Sequence, residues 1–144
     1  DSPCGKLVST NLVRQHNIQF EECPAGNDMG FAVRVGTYAR QVKAVDKPVY
    51  CATITAGSIR HTSNTRNIES RFKATVRLNN FLKKQGLRKY RHSVMQQWLI
   101  SWHYGPVFAL KLLFHSWRHG NPITIGCSRW LTTLRKLIRE KPKR

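Results

Sequence analysis

The chain has 144 residues, 40% of them hydrophobic, which is enough for one domain core and argues against global disorder. Its 25 Lys and Arg against 7 Asp and Glu give a net charge of +18. Self-repulsion on that scale points to a polyanionic partner: nucleic acid, an acidic glycan, an acidic glycoprotein or an anionic membrane.

The charge is segregated. Residues 1–69 carry eight basic and six acidic residues, whereas residues 70–144 carry seventeen basic residues and one acid, Glu140. The polyanion is therefore expected to meet the second half. The chain starts "DSPCGK", like a processed N-terminus, and holds Cys4, Cys23, Cys51 and Cys127 with no CxxC. An even cysteine count in that setting predicts a secreted protein with two disulfides, and three pairings are open.

In chain order, "NLVRQHNIQF" (11–20) fits a short helix or a strand, and "CPAGNDMG" (23–30) is loop-like in its Pro, Gly, Asn and Asp. Residues 31–45 and 48–56 are rich in Val, Thr, Tyr and Ile and predict strands, with a turn at "KAVDKP". Near Ser63 the period lengthens. Ile68, Phe72, Val76 and Phe81 or Leu82 share one helical face. Ser63, Asn64 or Thr65 can cap the start of that helix, and Gly86 suits the position just past its end.

A further helix is predicted over 87–104, with Tyr90, Val94, Trp98 and Leu99 on one face. Gly105-Pro106 breaks it, and helix resumes to Gly120 with Phe108, Leu112 and Leu113 inward. A last helix from Ser128 presents Trp130, Leu134, Leu137 and Ile138 on its apolar side. The fold class read from this pattern is α+β. A small disulfide-bonded sheet region at 1–62 is followed by a basic three- to four-helix region at 63–144, together one compact domain.

The segment 98–120 holds three of the chain's four tryptophans and three of its six histidines. Its uncharged run, 98–110, is thirteen residues and contains Gly-Pro, whereas a membrane span needs about twenty apolar residues. Trp98, Trp102, Phe108, Phe114 and Trp117 are expected as core or, if exposed, as a face that seats in a lipid interface.

Two basic clusters stand out. Lys83, Lys84, Arg88, Lys89 and Arg91 surround a helix join, and Arg135, Lys136 and Arg139 lie in the last helix, with Arg118 and Arg129 between the clusters. Each phosphate or sulfate that they neutralise gives salt-dependent binding. His115 and His119 sit at a spacing that can hold a metal, but no fourth ligand follows, and no cofactor or metal is expected. His61, His92 and His103 would be the acid–base groups of a metal-free ribonuclease, an alternative that fits the charge. No GxSxG, GxxxxGK[ST] or HExxH occurs.

"FLKKQG", then "RKYRHSVMQQWLISWHY", then "HGNPITIG" and a basic helix resemble, in order and spacing over 67–140, the gastropod sperm lysin family, which includes an acrosomal paralogue. The resemblance implies a small, secreted, cationic, helical protein of fertilization without enzymatic activity, which binds an egg-coat glycoprotein or perturbs membranes. It would place Lys83, Lys84, Arg88, Lys89 and Arg91 in a basic track, and Trp98 and Trp102 in an aromatic surface or core.

The function expected is thus a secreted cationic protein that binds an anionic glycoprotein, glycan or membrane surface. RNA or DNA binding is the alternative. The apolar content of the helical half suits a homodimer.

Overall fold

The computed structural model describes residues 3–51 and 64–124. These residues are helical, with no strand among them: α1 (Thr10–Gln15), α2 (Asn27–Tyr38), α3 (Thr65–Lys84), α4 (Met95–Ser101) and α5 (Pro106–Arg118). Single 3-10 turns at Arg88–Tyr90 and Trp102–Tyr104 flank α4. The α+β expectation is therefore overturned. The boundary expected at 62/63, the last helix and the second half of the strand expected over 48–56 lie outside the described residues.

The strand expected over 31–45 is α2, followed by residues without regular structure. The reason is an ambiguity of period. Phe31, Val33, Val35 and Thr37 alternate as in a strand, but Phe31, Val35 and Tyr38 also fit a helical face. Packing decides for the helix: Phe31 stacks on Phe20 at 4.1 Å between ring centroids, and Tyr38 stacks on His16 at 3.9 Å. Gly26, at φ 89°, turns the chain into α2, and Asp28 in the first turn suits the helix dipole.

The chain divides into two compact units, Asp1–Ala74 and Thr75–Arg144, with the boundary inside α3. In the first unit, Ile18 and Ala25 are buried with Ile68, Phe72 and Ala74 of α3. Ser70 holds the loop before α2: its hydroxyl accepts from the Ala25 N–H at 3.1 Å and donates to the Ala25 carbonyl at 2.8 Å. Gly26 lies so close to α3 that a Cβ there would sit 3.3 Å from Ala74 Cβ and 3.4 Å from Arg71 Cα.

In the second unit, Val76, Leu78 and Leu82 of α3 are buried together with Val94, Ala109 and Leu112. The expected helix over 87–104 is shorter than its pattern suggested. Residues 91–94 are non-helical because His92 is held by α3, as described below, and α4 starts only at Met95, whose N–H bonds Ser93 Oγ at 3.2 Å. Trp98 joins α4 to α5 by donating its indole N–H to the Ala109 carbonyl at 3.2 Å.

Three helices end in the same way. Asn17 (φ 46°), Gly86 (φ 74°) and Gly120 (φ 65°) take the left-handed conformation after α1, α3 and α5. The next N–H then reaches back to close each end: Ile18 to Val13, Leu87 to Leu82 and Asn121 to Ser116. Asn64 accepts from the Asn67 N–H at 2.8 Å and caps the start of α3.

Candidate polyanion-binding surface

Lys83 and Lys84 form the last turn of α3, where they complement the negative end of its dipole. Gly86 then reverses the chain, so that Arg88 and Lys89 follow at once on a 3-10 turn. Lys83, Lys84, Arg88 and Lys89 are exposed and Arg91 is half-buried. Arg91 is oriented by its own Nε–H, which donates to the Arg88 carbonyl at 3.1 Å, and Lys89 Nζ lies 5.0 Å from the Tyr90 ring. The chain has no carboxylate from 70 to 139. Arg34 pairs with Glu21 at 3.7 Å and Lys73 with Glu69 at 2.6 Å, both in the first unit.

What holds the basic loop in place is a pair of adjacent asparagines on α3. Asn79 is fully buried; its amide N–H donates to the His92 carbonyl at 2.9 Å, and its carbonyl accepts from the His92 N–H at 2.7 Å. That reciprocal pair fastens the segment after Arg91 to α3. Asn80 takes the opposite assignment. Its side-chain carbonyl accepts from Asn121 Nδ2 at 2.9 Å, and Asn121, nearly fully buried, also donates to the His119 carbonyl at 2.9 Å. Ser116 closes the same corner by donating to the Asn121 carbonyl. Lys83 Nζ lies 3.8 Å from where a Cβ on Gly120 would stand, which brings the track to the end of α5 where Arg118 and His119 are exposed.

The aromatic residues of 98–120 divide into two sets. Trp98 and Phe108 are half-buried, with Trp98 edge-on to Trp102 at 5.8 Å and Phe108 edge-on to Tyr104 at 6.4 Å. Phe114 (57% exposed) and Trp117 (73%) instead stand on the open side of α5. Leu113, expected inward, instead shares this side with Val107 and Leu110, a strip whose spacing with Phe114 and Trp117 was readable but missed. Leu110, Leu113, Phe114 and Trp117 line an open groove of about 480 Å³. Lys111 and Arg118, seven residues apart, border this strip along one edge.

Of the other predicted site residues, His92 is held through its backbone, and His103 is exposed in the 3-10 turn after α4. The His115 and His119 rings are 4.5 Å apart, and no group of three His, Cys, Asp or Glu among the described residues is placed to hold a metal. No helix among the described residues is long and apolar enough to cross a membrane. Cys4 and Cys51 are exposed thiols and Cys23 is a partly covered one. His61, Cys127, Arg129, Arg135, Lys136 and Arg139 lie outside the described residues. No protein-family model, curated protein or solved structure matches the chain.

Proposed function

We propose that this is a secreted, non-enzymatic cationic protein that binds an anionic macromolecular surface through the track Lys83, Lys84, Arg88, Lys89 and Arg91. The observation that carries the reading is the concentration of these five cations in nine residues, in a stretch of seventy residues without a carboxylate. Exposed cations of this density attract sulfates and phosphates over about 8 Å at physiological ionic strength and bind them with counterion release. The apolar strip of α5, edged by Lys111 and Arg118, adds a second mode: seating in the headgroup region of an anionic bilayer.

The test is parallel binding to heparin, structured RNA and anionic vesicles over a salt series, with RNA integrity read in the same tubes. Replacing all five track residues by Gln is expected to weaken heparin binding and flatten its salt dependence, with log K losing about 0.7–0.9 of slope per contact removed. An unchanged slope sinks the track assignment. RNA held far more tightly than heparin favours the nucleic-acid alternative, and RNA cleavage that disappears in His92→Ala favours the nuclease.

The α5 strip is tested by Phe114→Ser with Trp117→Ser. Both side chains are exposed, so stability is expected to change by no more than about 0.5 kcal/mol per site. Partitioning to anionic vesicles is expected to fall at least about tenfold, the loss expected if even one aromatic is buried in lipid. Equal partitioning by variant and parent removes the membrane mode and leaves the track untouched.

A further inference from the structure

The four cysteines allow three pairings into two disulfides, and the first unit distinguishes among them. The chain's opening residues run against the segment before Cys51. A Cβ on Gly5 would stand 3.7 Å from Tyr50 Cβ and 3.8 Å from Val49 Cγ2, so the two stretches of chain meet there in van der Waals contact. Cys4 immediately precedes Gly5, and Cys51 immediately follows Tyr50. The Tyr50 phenol is raised above its ordinary value, first by hydrogen bonding with the Cys4 side chain and then by the charge of its thiol, as expected where the two side chains adjoin.

Both thiols are exposed, and neither stretch belongs to a helix, so joining them interrupts no helix and uncovers no buried cysteine. Cys23 is placed differently. It is partly covered, its thiol donates to the Ala25 carbonyl at 3.5 Å, and Ser70 anchors that same loop to α3.

We propose that Cys4 and Cys51 form a disulfide that ties the N-terminal stretch to the segment ending at Cys51. The oxidant is a low-molecular-weight disulfide such as oxidised glutathione. One cysteine thiolate attacks it, forming a mixed disulfide and releasing one glutathione. The second thiolate attacks the protein sulfur of that mixed disulfide, forming the Cys4–Cys51 bond and releasing the second glutathione. Two thiol protons pass to the two leaving thiolates, and two electrons reduce the oxidant. The bond is independent of polyanion binding and extends the structural account of the first unit.

The test is proteolytic mapping of the full chain, oxidised with glutathione disulfide and digested without reduction. The expected result is one linked pair of fragments carrying Cys4 and Cys51, lighter by two hydrogens than the separate pieces and split by reductant. A second readout is the titration of Tyr50, whose phenol is raised above its ordinary value by the hydrogen bond and charge of the Cys4 thiol. Oxidation is expected to move that titration back down in the parent chain with no glutathione left on Cys4, whereas in Cys51→Ser the same oxidant leaves Cys4 as a thiol or as its glutathione adduct. The proposal is overturned if Cys4 or Cys51 is joined to Cys23, to Cys127 or to a second chain, or if both remain open to alkylation after oxidation.

Discussion

Asn79→Leu is expected to destabilise the protein by about 2–4 kcal/mol and to weaken heparin binding as well, although Asn79 touches no anion. The amide is fully buried and makes both of its bonds to one residue, donating to the His92 carbonyl and accepting from the His92 N–H. Leucine has the same branched set of side-chain heavy atoms, though bulkier, and strands two backbone groups, at about 1–3 kcal/mol each less whatever water regains. The loop that carries Arg88 to Arg91 then loses its tie to α3.

Asn79→Asp separates this account from a simple packing defect. A protonated carboxyl can make both bonds, whereas a carboxylate can accept from the His92 N–H but faces the His92 carbonyl with no proton to give. Burial and that carbonyl raise the folded-state pKa above the unfolded value of about 3.9. A raised folded pKa contributes stability that is present below the unfolded value and is lost as pH rises through the folded one. Denaturation midpoints of Asn79→Asp should therefore approach those of the parent at low pH and fall away toward neutrality, while Asn79→Leu shows no such recovery. Parallel pH profiles for the two variants would sink the clamp.

The second large effect belongs to Phe72. It is fully buried on α3, between Ile68 and Val76 along the same face, and those neighbours are also buried. Phe72→Ala is expected to cost about 3–5 kcal/mol from lost transfer energy and the cavity left behind. A domain of this size holds about 5–15 kcal/mol in all, so the variant should melt far below the parent. Phe72→Leu, which keeps most of the volume, should retain more than half of the lost stability in the same chemical denaturation series. A drop under about 1 kcal/mol for Phe72→Ala would mean that the site collapses around the gap, contrary to the usual behaviour of packed cores.

Legibility differed between the halves for physical reasons. α3 was readable to its ends because every signal agreed: the 3.6 period of Ile68, Phe72 and Val76, the Asn64 cap, and Gly86 with its backbone closure from Leu87 to Leu82. Gly105-Pro106 and Gly120 likewise marked α5 correctly. α2 was misread because a run of Phe, Val and Thr satisfies two periods at once, and the stacking of Phe31 on Phe20 that chooses between them is non-local. The delay of α4 to Met95 was half legible. Ser93 with Gln96 three residues on is a start signal, but the bond from Asn79 to His92 is a long-range fact that no local pattern carries. The track Lys83–Arg91 was readable as a composition. Its footing on two neighbouring asparagines was not, because "NN" in a helix reads as a polar interruption until both partners are known.

The exposed strip of α5 has a colloidal consequence. Copies of a chain with net charge +18 repel one another at low ionic strength, where the screening length is about 30 Å at 0.01 M. At 0.15 M that length shrinks to about 8 Å, and Val107, Leu110, Phe114 and Trp117 on two molecules can approach. Added salt therefore acts in opposite senses, loosening the grip of the cations on a polyanion while bringing the apolar strips of separate molecules together. Dilute electrolyte keeps the molecules dispersed and adhesive toward anions; concentrated electrolyte makes them cohesive toward each other.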